Sequence, residues 1–111
     1  MTERFSPPKV WGLTGHEMDT LNALLSARDT ASKPAIMDYV YGVGRGPEIK
    51  IIDVFVCKLR KKLAPHFDPA TLNHLELIET VWGKGYRISD EAKALIRAHD
   101  AYAPLTTGAA A

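Results

Sequence analysis

A chain of 111 residues, 46% of them hydrophobic, has the size and composition of one packed domain rather than a disordered tail. No run approaches the roughly 20 apolar residues of a membrane span and the first ten residues lack the apolar core of a secretion signal, so a cytoplasmic protein is expected. One cysteine, Cys57, excludes an internal disulfide framework, Cys57 with His16, His66, His74 and His99 makes no zinc spacing, and a net charge of +1 points to nucleic acid only where it is unevenly spread.

Residues 1–12 read as an N-terminal arm with at most one short strand, around Lys9–Trp11. Thr14 and Glu17 have the spacing of a capping box and open a first helix, whose buried stripe is Met18, Leu21, Leu24 and Leu25. A second, shorter helix starts at Ser32, tolerates Pro34 in its first turn, points Ile36, Met37 and Val40 inward and stops at Gly42. Gly42, Gly44, Gly46 and Pro47 make a connector. The longest helical pattern of the chain then runs from Glu48 to Leu63.

Pro65, Asp68 and Pro69 end that helix, and Leu75–Val81 has the β-branched, mixed character of a strand. Trp82, Gly83, Lys84 and Gly85 form a hairpin turn that returns through Tyr86, Arg87 and Ile88. A last helix begins at Ser89 and Asp90 and continues to Tyr102, with a frayed tail in the 90–111 region. Its Leu95 and Ile96 either pack on the domain or meet a partner, a second copy of the chain included. Three helices followed by a hairpin predict a mainly α fold with a small antiparallel sheet, the winged helix-turn-helix, over residues 13–89, with the last helix as an addition.

Winding Glu48–Leu63 at about 100° per residue places Ile49, Ile52, Val56, Leu59 and Leu63 on one face, the spacing of a core stripe. Lys50, Ile51, Val54, Cys57, Lys58 and Lys61 lie opposite. The segment holds Lys50, Lys58, Arg60, Lys61 and Lys62 against only Glu48 and Asp53. A major groove admits one helix, phosphates attract cations at its edges, and a small apolar group such as Val54 suits a thymine methyl. Read this way, residues 48–64 are a recognition helix for double-stranded DNA and residues 78–88 a wing on the adjacent backbone or minor groove.

Leu13-Thr14 to Glu17, Tyr39 to Gly42, KIIDVFVCKLRKKL over 50–63 and IETVWGKGYRI over 78–88 together resemble the effector domain of OmpR/PhoB-type response regulators. The resemblance implies base-facing roles for Lys50, Ile51, Val54 and Lys58, phosphate contacts for Tyr41, Thr80 and Tyr86, and orienting roles for Asp53 and Arg60. Many relatives have an arginine where this chain has Trp82, so the groove contact of the wing falls to Trp82 itself or to Lys84 and Arg87, while the alternative for Trp82 is packing. Lys61 and Lys62 complete the phosphate-facing set. The loop between the second and third helices touches RNA polymerase in that family, which implies a candidate contact at Gly44, Arg45 and Gly46. Relatives carry a receiver domain that this sequence lacks, so control by receiver phosphorylation is not expected, and competition with a full-length relative is.

Other classes have less behind them. No Ser/His/Asp, Cys/His or paired-carboxylate arrangement supports an enzyme. The glycines of 42–46 follow a helix and lack the Lys-Ser/Thr of a phosphate-binding loop. His66 and His74 flank one loop as a conceivable metal pair, Cys57 as a redox sensor, and the competing function is a module that binds RNA polymerase or a full-length regulator instead of DNA.

Overall fold

The computed structural model describes residues 5–68 and 76–98. Helix α1 (Gly15–Ser26) begins with the predicted capping box: the Thr14 hydroxyl accepts the Glu17 N–H at 3.3 Å, and Glu17 Oε1 accepts the Thr14 N–H at 3.0 Å. Two donors that a helix start leaves unpaired are thereby satisfied. Leu21, Leu24 and Leu25 are buried, whereas Met18 is only half-buried.

A three-residue strand, β1 (Thr30–Ser32), leads into α2 (Lys33–Tyr41), which Ser32 caps by accepting the Ala35 N–H at 3.1 Å. Ile36 and Met37 close on the core, and Gly42 ends the helix at φ 97°, a backbone state that residues with a Cβ rarely adopt. Helix α3 (Lys50–Leu63) follows, then the hairpin β2 (Glu79–Val81) and β3 (Gly85–Arg87), closed by the Lys84 N–H donating to the Val81 carbonyl. The sheet is antiparallel in the order β1-β3-β2. A final helix, α4, spans residues 90–98. This is the winged helix-turn-helix that the element order predicts.

Two expectations are corrected. Lys9–Trp11 is a 3₁₀ turn and not a strand. Trp11 is drawn into the core against Phe5 and Phe67, with ring centroids 5.8 and 5.7 Å away, and a tight turn closed by the Gly12 N–H on the Lys9 carbonyl delivers it there. The third strand comes instead from the α1–α2 connection, where Gly85 permits it: a Cβ at that position would lie 2.1 Å from the Ala31 carbonyl oxygen. Secondly, the strand expected from Leu75 is regular only over β2, because Arg60 takes up the Ile78 carbonyl at 2.8 Å. Leu75 itself, His74, and the stretch of the last helix from His99 to Tyr102 lie outside the described residues.

Both flanks of the three-helix unit are fastened to it. Buried Asn22 accepts the Phe5 N–H at 2.7 Å and donates to the Phe5 carbonyl at 3.0 Å, which satisfies the backbone it covers. On the other flank Ala92 and Ile96 are fully buried, Leu95 packs partly against them, and Lys93 donates to the Ala27 carbonyl. Of the two alternatives for α4, packing on the domain is what Ile96 does.

Candidate nucleic-acid interface

The inner face of α3 is Ile52, Phe55, Val56, Leu59 and Leu63, all buried. Phe55 joins this face, whereas Ile49, expected on it, is 42% exposed. The helix starts at Lys50, two residues later than the pattern suggests, and Ile49 at its N-cap lines a cleft of about 660 Å³ between α3 and the wing. Phe55 in turn meets the His16 ring, with centroids 5.7 Å apart.

On the outer face Lys50, Val54, Cys57, Lys58 and Lys61 are exposed, and Val54 is the apolar member at 43%. Ile51, expected among the base-facing residues, is half-buried and packs against the core. The five cations of the helix fall into two sets. Lys50, Lys58 and Lys61 make no ion pair among the described residues. Arg60 instead donates to the Ile78 carbonyl and, at 2.9 Å, to Thr80 Oγ1, while Lys62 donates to Glu17 Oε1 at 2.6 Å and to the Gly12 carbonyl at 3.0 Å.

Glu17 is 2% exposed, and burial alone pushes its carboxyl up. The Lys62 ammonium and the Thr14 N–H more than offset that and hold it below the ordinary carboxylate value. Lys62, expected at a phosphate, is therefore the counter-ion of a buried acid.

The wing divides similarly. At its tip Trp82 is 89% exposed, which rules out packing as its role, and Lys84 is exposed beside it. Arg87, expected at DNA, has its guanidinium on Asp29 at 2.9 Å and Glu79 at 3.0 Å, one acid from either side of β3. Tyr86, expected at a phosphate, is buried and donates its hydroxyl to Asp53. Burial and that hydrogen bond push the phenol up to about 12, and the same bond, with Lys33, holds the Asp53 carboxyl low. Thr80, the other phosphate candidate of the hairpin, is engaged by Arg60.

Two further placements concern the other end of the surface. Tyr41 is half-buried with its ring 4.8 Å from His16, and the loop holding Gly44, Arg45 and Gly46 is exposed, with Val43 at 83%. Sequence reasoning missed Lys33, which pairs with Asp53 at 3.1 Å and lies 6.0 Å from the Tyr86 ring centre. Its partners are 20 and more residues away, so no local pattern signals it.

Among the described residues no cluster of His, Cys, Asp and Glu fits a metal ion, and no helix is long and apolar enough to cross a membrane.

A helix-turn-helix whose third helix turns a basic, partly apolar face outward beside a β wing defines a DNA-binding domain of transcription regulators. The chain matches the family described as "Transcriptional regulatory protein, C terminal" over residues 9–88, and it belongs to that family, which is one of regulators and not of catalysts. It is similar to the cell cycle transcriptional regulator CtrA of Caulobacter vibrioides, 49% identical over 80 residues that cover 70% of this chain and 32% of that protein. The cell cycle response regulator CtrA of Brucella ovis is 49% identical over 76 residues, covering 67% and 30%. Among solved structures, one described as belonging to "a novel family of redox sensors in the streptococci evolved from two-component response regulators" matches with a TM-score of 0.57 and 27% identity, over 69% of this chain and 31% of that one. The RitR C128D mutant matches at 0.53 and 26%, over 67% and 31%. The chain thus spans about a third of the length of the relatives it matches.

Proposed function

We propose that this domain reads specific duplex sequences with α3 in the major groove and the tip of the wing on the adjacent backbone or minor groove. One observation carries the reading: Lys50, Val54, Lys58 and Lys61 share an outward face and are unpaired among the described residues, on a helix whose remaining cations are consumed internally. Unpaired cations beside an exposed apolar side chain serve phosphates and base edges together. Trp82 and Lys84 at the wing tip and Tyr41 at the end of α2 extend the same surface. A mobility-shift titration against A/T-rich promoter duplex, run at two salt concentrations and against a scrambled duplex, tests it. Specific binding that weakens steeply with salt is expected. Equal affinity for both duplexes would remove sequence reading from the proposal.

A second reading is favoured by Val43, 83% exposed at the α2–α3 loop beside Gly44, Arg45 and Gly46. An exposed apolar side chain on a glycine-rich loop suits a protein contact, with RNA polymerase or a full-length regulator as partner. Similarity to CtrA adds the expectation that the two compete for shared operators. At saturating concentration this chain should displace full-length CtrA from CtrA's own operator. Failure to displace it would end the competition reading while leaving DNA binding intact.

A further inference from the structure

The polar groups beneath the wing do more than satisfy one another. Ile78, Ile88 and the Tyr86 ring anchor the base of the hairpin in the core, but all three residues of β2 are only half-buried, β2 pairs with β3 alone, and the turn Trp82–Lys84 is exposed. Beyond that base, each strand is fastened to α3 by a separate side chain. Asp53 accepts the Tyr86 hydroxyl of β3 at 2.5 Å, and Arg60 donates to the Ile78 carbonyl just ahead of β2 and to Thr80 Oγ1 within it. Asp53 and Arg60 stand seven residues apart, two turns or about 10 Å along one side of the helix. Two fastenings that far apart fix an angle, which one alone does not.

Between them the Tyr86 ring is flanked by cations, with Arg60 5.7 Å and Lys33 6.0 Å from its centre, and Lys33 in turn binds Asp53. An acid on the helix offered to DNA repels phosphate, so Asp53 weakens the surface it sits on unless it does something else.

We propose that Asp53 and Arg60 are positioning residues which fix the offset between the outer face of α3 and the wing tip, so that Lys58 and Trp82 meet one duplex at the same time. This rests on the reading of α3 and the wing given above. If it holds, loosening either fastening leaves the helix free to bind its groove but takes the tip out of register with the flanking minor groove.

The experiment uses the full chain and a duplex enriched by that chain from a random-sequence pool. Guanine N7 protection from dimethyl sulfate reports α3, and hydroxyl-radical protection of flanking sugars reports the wing. Tyr86→Phe keeps the buried ring and Arg60→Met the aliphatic stem, and each removes a fastening. Both should retain N7 protection, lose the flanking protection and bind about tenfold more weakly. Asp53→Asn, which still accepts the Tyr86 hydroxyl, should keep the flanking protection. Circular dichroism on the same samples gives the folded fraction. Flanking protection that persists in both variants, or N7 and sugar protection that fall together in proportion to the folded fraction, would overturn the proposal. An intact chain that shows N7 protection and no flanking protection at all would overturn the wing contact of the proposed function itself, and is told apart because it appears without any substitution.

Discussion

Lys58 and Lys62 stand one turn apart on α3 with the same side chain and the same formal charge, yet they belong to different regions of the molecule. Lys58 looks out with no ion-pair partner among the described residues, on the face that Val54 and Lys61 share; Lys62 is bound to an acid that is almost wholly buried. The wing repeats the division, with Lys84 exposed at the tip and Arg87 held by Asp29 and Glu79 at the base. A cation that answers an acid inside the fold contributes to folding, whereas one without an answer is available to phosphate. Counting charges along α3 cannot separate the two, and the effective reading surface is smaller than the helix's composition suggests.

The widest separation between the two sets should come from Lys62→Ala. Taking one partner from a buried pair costs about 3–5 kcal/mol. Lys62 is itself a third exposed and the Thr14 N–H still serves Glu17, so a loss of about 2–3 kcal/mol is expected in urea denaturation. The pH dependence has a definite sign. Because the Glu17 carboxyl is held below its ordinary value in the folded chain, its stabilisation is present at neutral pH and disappears as the pH falls through that lowered value. Without Lys62 the folded carboxyl moves back up, so this acid-dependent loss should become smaller. Should the variant be as stable as the parent but bind all duplexes more weakly, Lys62 would belong with Lys58 after all.

Lys58→Ala should give the converse result. Affinity for the preferred duplex is expected to fall by about 1–3 kcal/mol, with relaxed preference at one base pair. Folding stability should stay within about 0.5 kcal/mol of the parent, the usual range for an exposed side chain that makes no ion pair, its charge adding only the smallest of the pulls on Glu17. A variant whose binding and preference are both unaltered would remove Lys58 from the reading face.

A smaller contrast lies in the wing. Lys84→Ala should lower the salt dependence of binding by about one released counterion. Arg87→Gln should leave that dependence alone and slightly weaken the chain, because its two carboxylate partners lose their cation. Measuring both slopes over the same salt range decides the matter, and a lower slope in Arg87→Gln would mean that the arginine leaves its acids to meet DNA.

The reach of the contacts explains how much was legible beforehand. The Thr14–Glu17 box, the Ser32 cap and the Gly42 stop are written within four residues, and all three appear as read. The hairpin is equally local, since the Trp82–Lys84 turn is bracketed by its own two strands. What escaped depends on distant partners: β1 is three residues of no distinctive pattern, made a strand by β3 more than fifty positions later. Lys62 and Glu17 are 45 residues apart, and Arg87 and Asp29 are 58. Ile49 departs from the core stripe for a different reason. A helical wheel treats Ile49 as an interior position, whereas α3 begins at Lys50 and Ile49, its N-cap, lines the cleft beside the wing.

The faintest signal of this division is spectroscopic and concerns Tyr86. A tyrosine that touched only solvent and phosphate would ionise near the ordinary value of about 10. Burial, and the hydroxyl given to Asp53, push this phenol up to about 12. The folded chain therefore holds that proton more tightly than the unfolded one, so the stabilisation is complete below about pH 10 and is lost as the pH rises from there through about 12. A rapid pH jump followed at 295 nm, read before the chain unfolds, should resolve a tyrosine ionisation near pH 12. Tyr86→Phe should delete that step. The same variant lacks the fastening between β3 and α3, so one substitution links the optical change to the wing protection described above. A titration curve that Tyr86→Phe leaves unaltered at high pH would mean that the hydroxyl is not held by Asp53, and Tyr86 would return to the set of residues free to meet a phosphate.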